Sequence, residues 1–162
     1  MERAHAIAPI TSLQPRYSLV HPEVAEEILP FCHRQGIGVI VYSPMASGLL
    51  TGAMTRERIA SLPEDDWRKH DEDFNEPELS ANLALVGKLR EVGLRHDTTP
   101  GPVAVAWTLR NPAVTGAIVG VRKPEQMNDM KQAAAIRLTP EEVNDLEREG
   151  ELATYCNPGR AQ

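Results

Sequence analysis

The sequence predicts an α/β fold, a small parallel sheet of three strands covered by helices, and three observations carry that expectation. First, Ile37 to Val41 and Ala117 to Val121 are short, largely branched apolar runs beside glycines. Such runs are too short for helices and too apolar for strands with one wet face, so they read as buried parallel strands. Second, helical patterns alternate with these runs, as parallel strand connections require. Third, each run opens at its carboxyl end into glycine and small or charged residues, where α/β proteins place their ligand sites. An ordinary strand and turn accounts equally well for Ser43 to Gly52 taken alone.

Residues 2–8 read as the tail of a helix whose start lies upstream. Pro9 to Gln14 predicts a short strand that Pro15 stops. Pro22 opens a helix to about Gln35, with Glu23, Glu26 and Glu27 at its positive end and Gly36 as its C-terminal cap. Pro30 inside that helix predicts a kink. The strand Ile37–Val41 and its loop follow. From Ala53 to Pro77 the chain turns polar and charged, an irregular insertion of the kind that more often serves as a lid or ordered excursion than as plain connection.

Residues 78–95 predict a helix that buries Leu79, Leu83, Val86, Leu89 and either Val92 or Leu94. Pro100-Gly101-Pro102 breaks the chain before a short apolar helix, Val103 to Arg110, which Asn111-Pro112 ends. After the strand Ala117–Val121, Lys123-Pro124-Glu125 opens a helix to about Ala135. Thr139-Pro140-Glu141-Glu142 is a capping box that opens the last helix, to about Glu149. Residues 150–162 are expected to be irregular, and residues 1–162 to form one domain. Three buried parallel strands leave two unpaired edges, which need a cover or a partner.

Composition narrows the function. Hydrophobic content of 41% and charged content of 25% belong to a globular protein. A net charge of −6 argues against nucleic acid or an anionic membrane as main partner, yet leaves room for a local basic patch. No apolar run approaches the roughly 20 residues that span a bilayer, and Met1-Glu2-Arg3-Ala4-His5 lacks the apolar core of a signal peptide. Cys32 and Cys156 lie far apart without ligand spacing, as reduced thiols of a cytoplasmic protein would.

Several features point to one ligand. The loop Ser43 to Gly52 can present backbone donors to an anion. Gly120-Val121-Arg122-Lys123 leads into a helix N-terminus, whose unpaired N–H groups attract phosphate, and the two cations reinforce it. Tyr42 ends one strand as a candidate stacking platform, and Gln14 ends another with an amide that both donates and accepts. Each has a plainer reading: solvated surface cations, a core-edge tyrosine, an uninformative glutamine. Their common position at strand carboxyl ends favours the ligand. Acid–base chemistry is poorly served. His5, His21, His33, His70 and His96 fall on helix ends or polar stretches, no His/Cys cluster has metal spacing, and Asp65, Asp66, Asp71, Glu72 and Asp73 read as a solvated face. Tyr17 and Tyr42 are the only tyrosines placed to act near the sheet's mouth.

Three stretches in order, Gln14 to Leu19, Gly38 to Gly52 and Gly120 to Gln126, resemble the aldo-keto reductases over roughly residues 4–149. The likeness is to members with a long insertion after the seventh strand, a group that includes potassium-channel β subunits. It implies a partial (β/α)8 TIM barrel, the C-terminal half, holding about three strands. It also implies NADP(H) as cofactor. Gln14 would contact the nicotinamide carboxamide and Tyr42 would stack on the ring. Ser43, Pro44, Met45, Ser47, Gly48 and Leu50 would wrap the pyrophosphate. Gly120, Arg122 and Gln126 would hold the adenosine side, with Arg122 near the 2′-phosphate, a dianion that a guanidinium suits. Where the family shows an acidic residue followed by asparagine, this chain has Asp129-Met130, and Met130 cannot hydrogen-bond adenine.

The family reduces carbonyls with a tyrosine acid helped by aspartate, lysine and histidine, all on the first half of the barrel. The resemblance therefore implies a cofactor-binding half without catalytic residues or reductase activity of its own. A nucleotide-binding regulatory or sensor module, or a vestigial structural half-barrel that binds nothing, fits the same residues. Each reading expects a homodimer or larger assembly through the open sheet edges, with no metal, nucleic acid or membrane.

Overall fold

The middle strand of the sheet carries both ladders. In the computed structural model, which describes residues 1–155, β1 (Ser12–Leu13), β2 (Gly38–Tyr42) and β3 (Val114–Ile118) lie parallel in the order β1-β2-β3. Ser12 pairs with Gly38 and Leu13 with Val39, while Val41 pairs with Ala117 and Tyr42 with Ile118. A register irregularity falls between Val39 and Ile40. There the Thr115 hydroxyl accepts a 3.3 Å bond from the Val39 N–H, so the broken ladder leaves that donor partnered. The helices are α1 (Glu2–Ile7), α2 (Ile28–Gln35), α3 (Arg56–Ala60), α4 (Glu78–Arg95), α5 (Pro100–Leu109), α6 (Pro124–Gln132) and α7 (Pro140–Tyr155). This is the expected α/β arrangement of three parallel strands and covering helices.

The strands are only half buried. Val39 and Val41 are fully enclosed, but Ile40 and Tyr42 are each 42% exposed and Ile118 is 46% exposed. The expectation of a strand buried on both faces is thus corrected. Helices cover one face of the sheet, and no described residue forms a second layer on the other. The third strand also lies three residues earlier than 117–121. Asn111 makes the turn, its side chain accepting from the Ala113 N–H at 3.0 Å and its carbonyl from the Val114 N–H at 2.9 Å. The chain therefore enters the sheet directly after Pro112 and leaves it before Gly120.

Proline explains most other differences. The helix expected from Pro22 to Gln35 is a 3₁₀ turn, Glu23–Ala25, followed by α2. Pro30 causes no kink because it sits in the first turn of α2, where its missing N–H leaves no intrahelical bond unmade. Gly36 caps α2 in the left-handed region at φ 64°, as expected. Pro100-Gly101-Pro102 does not precede α5 but forms its first turn, for the same reason. On α4, Leu79, Leu85, Val86, Leu89 and Val92 are buried, whereas Leu94 faces solvent. The short strand expected over Pro9–Gln14 keeps only Ser12–Leu13.

Residues 53–77 are ordered by their own polar side chains. Thr55, Asp66 and Asp71 each open a helical turn and cap it by accepting from a main-chain N–H inside it, those of Arg58, Arg68 and Asp73. Ile59 and Phe74 are buried, with the Trp67 ring set edge-on to Phe74. Asp73 is buried at 2% exposure, which corrects its assignment to a solvated acidic face. Tyr17 is also core, its ring 4.9 Å from that of Trp107, so it does not reach the mouth of the sheet.

The capping box at Thr139 forms as expected. The Glu142 carboxylate accepts from the Thr139 N–H at 3.0 Å, and the Thr139 hydroxyl accepts from the Glu142 N–H at 3.3 Å. α7 continues to Tyr155 instead of ending at Glu149, a correction for residues 150–155. Cys156 and the rest of the expected irregular tail lie outside the described residues. Glu142 also joins α7 to the end of α4, through Arg95 Nε at 2.9 Å and His96 Nε2 at 2.9 Å. Burial pushes the Glu142 carboxyl up, but the bonds from His96, the Thr139 N–H and Arg95 outweigh it and hold it at about 2. A depressed carboxyl contributes its full stability above the ordinary glutamate range and loses it as pH falls from there toward about 2. Glu142→Gln should cost about 2 kcal/mol in urea unfolding at neutral pH. The difference from wild type should narrow as the medium is acidified through that window.

Candidate functional site

β2 ends at Tyr42, and the loop that follows is held in an uncommon backbone conformation. Ser43, Ala46 and Ser47 have φ of 55°, 46° and 55°, and Gly48 has φ of 95°. Left-handed conformation costs a residue with a Cβ roughly 1–2 kcal/mol, so three such residues in one loop must be imposed by their surroundings. The fully buried side chains of Leu49 and Leu50 supply the anchor. Inside the loop the Met45 carbonyl accepts from the N–H of Gly48 at 3.1 Å and of Leu50 at 3.2 Å, and the Thr51 hydroxyl donates to the Gly48 carbonyl at 2.7 Å. Met45 is followed by left-handed Ala46, whose N–H donates to the Ser43 carbonyl at 3.0 Å and so serves the loop's own turn.

The loop forms one wall of an open cleft of about 520 Å³. Tyr42, Ser43, Pro44, Met45, Ser47 and Gly48 line it from the β2 side, and Gly120, Arg122 and Gln126 from the end of β3 and the start of α6. Three other residues singled out in the sequence stand apart. Gln14 is exposed beyond β1 and does not line the cleft. Leu50 is fully buried, with its N–H committed to Met45, so it supports the loop from behind. Lys123 is exposed but also outside the lining.

Gln126 has a definite local task. Its side-chain oxygen accepts from the N–H groups of Arg122 at 2.7 Å and Lys123 at 3.1 Å, capping α6 from within and fixing the turn that presents Arg122. Met130 packs instead of binding: it joins Met45, Val105 and Ala133 in a small cluster where α5, α6 and the loop meet.

The third wall comes from residues 53–77 and was not read from the sequence. Arg58 and Arg68 line the same cleft as Arg122. Arg58 Nη1 donates to the Ala53 carbonyl at 3.2 Å, and Arg68 clasps Asp66 with Nε to Oδ1 at 2.9 Å. The bond from Arg68 holds the Asp66 carboxyl at about 2, against partial desolvation, with the field of Arg122 adding a small further pull. In sequence Asp66-Trp67-Arg68 is indistinguishable from a surface charge run. Only the return of the excursion over the sheet places it here. Three guanidinium groups thus border one cleft in a chain of net charge −6, the local basic patch that composition allowed.

The lining holds no histidine, lysine, aspartate or glutamate. His21 is engaged with Asp73 and His96 with Glu142. Among the described residues no group of three His, Cys, Asp or Glu side chains is arranged to hold a metal. The cleft can therefore hold an anion with a flat ring beside Tyr42, but its lining offers no carboxyl, imidazole or ammonium group as a proton donor.

The aldo/keto reductase family model matches residues 1–150. The chain belongs to the aldo/keto reductase family. It is 32% identical over 147 residues to the aldo-keto reductase YhdN of Bacillus subtilis (strain 168), covering 90% of this chain and 44% of that protein. Among solved structures it superposes on the glycerol dehydrogenase AKR11B4 from Gluconobacter oxydans with a TM-score of 0.86 at 28% identity, over 100% of this chain and 48% of that one. It also superposes on the thermostable aldo-keto reductase Tm1743, solved with the inhibitor epalrestat, with a TM-score of 0.62 at 22% identity over 92% of this chain and 44% of that one. The second likeness speaks for the fold alone. This aldo/keto reductase chain spans slightly less than half the length of each of these relatives.

The strained loop makes a direct prediction. Ser47→Gly should stabilise the chain by about 1 kcal/mol, because glycine adopts a φ of 55° without penalty. Gly48→Ala should destabilise it by about 1 kcal/mol, although a Cβ there would meet no atom within 4 Å. Paired urea titrations of the two variants read both signs.

Proposed function

We propose that this chain is the dinucleotide-gripping portion of an aldo/keto reductase barrel, its C-terminal half, selective for NADP(H) and unable to reduce carbonyls by itself. The observation that carries the reading is the cleft in which Arg122, the strained loop after β2 and the half-exposed Tyr42 ring converge. Tyr42 takes the nicotinamide face, with Gln14 beyond the neighbouring strand as the carboxamide partner. The loop from Ser43 to Gly48 wraps the pyrophosphate, with the Ala46 and Gly48 N–H groups spent on bonds inside the loop and Leu50 as its anchor. Gly120 lets the adenosine side approach, Gln126 sets the turn, and Arg122 meets the 2′-phosphate. Arg58 and Arg68 supply further positive charge from the excursion. With Met130 given to packing, adenine loses a hydrogen-bonding partner at that position.

When bound, the cofactor would supply a hydride to a carbonyl carbon. The oxygen left behind then needs a proton from a positioned acid, a contribution on the order of 10²–10⁴-fold in rate. The cleft lining offers only hydroxyls for that: the Tyr42 phenol, whose ring is assigned to stacking, and the alcohols of Ser43, Ser47 and Thr51, which are weaker acids still. The long 53–77 excursion supports placement beside the long-insertion members of the family, the group that includes potassium-channel β subunits. The exposed Ile40 and Ile118, with the unpaired outer edges of β1 and β3, support self-association into a dimer or larger assembly. The buried, free Cys32 suits the reducing cytoplasm. Among the described residues no helix is long and apolar enough to cross a membrane.

Calorimetric titration should show binding of NADPH well above that of NADH, and Arg122→Ala should weaken NADPH by about tenfold or more while leaving NADH nearly unchanged. Absence of NADPH binding would reduce the chain to a structural half-barrel. Steady NADPH oxidation with a simple aldehyde by the purified chain would overturn the claim of inactivity. Light scattering of the same sample should give a mass of at least two chains.

A further inference from the structure

We infer that Asp73 is a positioning residue that ties the 53–77 excursion to the backbone of Tyr42, so that the excursion and the ring end of the cleft are set together. The inference about Tyr42 as a ring platform rests on the function proposed above; the mechanical coupling does not. Asp73 is buried at 2% exposure, and one of its carboxylate oxygens, Oδ2, accepts from Arg16 Nη2 at 3.0 Å and lies 2.8 Å from His21 Nε2. The other ring nitrogen of His21, Nδ1, lies 3.9 Å from Glu23 Oε1. Asp73 is itself held firmly: its N–H donates to Asp71 Oδ1 at 2.9 Å, and its carbonyl accepts from Asn82 Nδ2 of α4 at 2.9 Å. A buried carboxylate fixed by its own main chain makes a rigid anchor, and charged hydrogen bonds to it hold their donors more strongly than neutral ones.

What Asp73 holds is next to Tyr42. Arg16 and Tyr42 form an isolated parallel bridge beyond the regular end of β1. The Tyr42 N–H donates to the Pro15 carbonyl at 3.0 Å, and the Tyr17 N–H donates to the Tyr42 carbonyl at 3.3 Å. β1 proper contributes only Ser12 and Leu13, too short to align residues 15–17 by itself. The side-chain bond from Arg16 to Asp73, backed by His21, supplies that alignment from the excursion. The residues that the excursion gives to the cleft, Ala53, Met54, Arg58 and Arg68, precede Asp73 in the same segment, so this one clasp references both the excursion and the end of β2 to a single carboxylate.

Two variants and two readouts test this. Amide hydrogen exchange, followed residue by residue, should quicken about tenfold at Tyr42 and Tyr17 in Asp73→Asn, while Val41 in the β2–β3 ladder stays at its wild-type rate. Arg16→Gln, which leaves Asp73 paired with His21, should show the same local effect at smaller size and covers the case in which Asp73→Asn does not fold. Unchanged exchange at both amides in Arg16→Gln, or uniform quickening over the whole sheet, would overturn the coupling. The second readout compares NADPH with adenosine 2′,5′-bisphosphate, which keeps the 2′-phosphate and one of the two bridging phosphates but has no nicotinamide. The clasp predicts that Arg16→Gln weakens NADPH severalfold and leaves the bisphosphate unchanged; equal weakening of both would overturn a role at the ring end. A wild-type chain that binds neither probe would defeat the proposed function, and the exchange result would still decide the coupling.

Discussion

The cleft depends on β2 being bonded along both sides to its last residue. On one flank Tyr42 is tied to Pro15 and Tyr17, and on the other it stands in register with Ile118. Because the strands are parallel, β2 and β3 run out at the same level, and the segments that follow them are delivered to one place. Val39 and Val41, fully enclosed against the helices, keep this ladder from sliding, since a slip of one residue would turn them outward. The loop after Tyr42 and the turn before α6 therefore meet without any direct bond between them.

The fold was legible where local chemistry and burial agree. The Thr139 capping box, the Gly36 cap and the long amphipathic α4 all follow from short-range patterns that the tertiary structure did not override. Errors arose where a residue type has two opposite meanings. Proline both breaks helices and opens them, and Pro30, Pro100 and Pro102 all proved to lie in first turns. An apolar run such as Ile37–Val41 fits burial on both faces or on one, and periodicity cannot separate the two when every residue is apolar. Acidic residues were the hardest. Asp73 and its exposed neighbours share one composition, and only the distant Arg16 and His21 distinguish the buried one.

Much of the candidate site was also legible, because strand ends are readable and α/β sheets gather them. Most of the residues singled out between Tyr42 and Gly48 and between Gly120 and Gln126 do line one cleft. Gln14 and Leu50 do not, and neither case was readable. Gln14 follows a two-residue strand whose end has little to aim it, and Leu50 sits in a loop whose alternation of buried and exposed positions has no regular period. The arginines of the excursion were invisible for a different reason. Their position depends on how a long connection returns over the sheet, which no local spacing encodes.

Arg122 stands in solvent at the rim of an open cleft and not inside a closed pocket. Its pull on an anion is therefore exposed to mobile counterions, which screen charges over about 10 Å at 0.1 M ionic strength. The neighbouring Asp66 competes for the same positive field. Occupancy of such a rim responds to the electrolyte around the protein, falling as salt rises, while the buried clasp at Asp73, shielded from those ions, holds its geometry throughout.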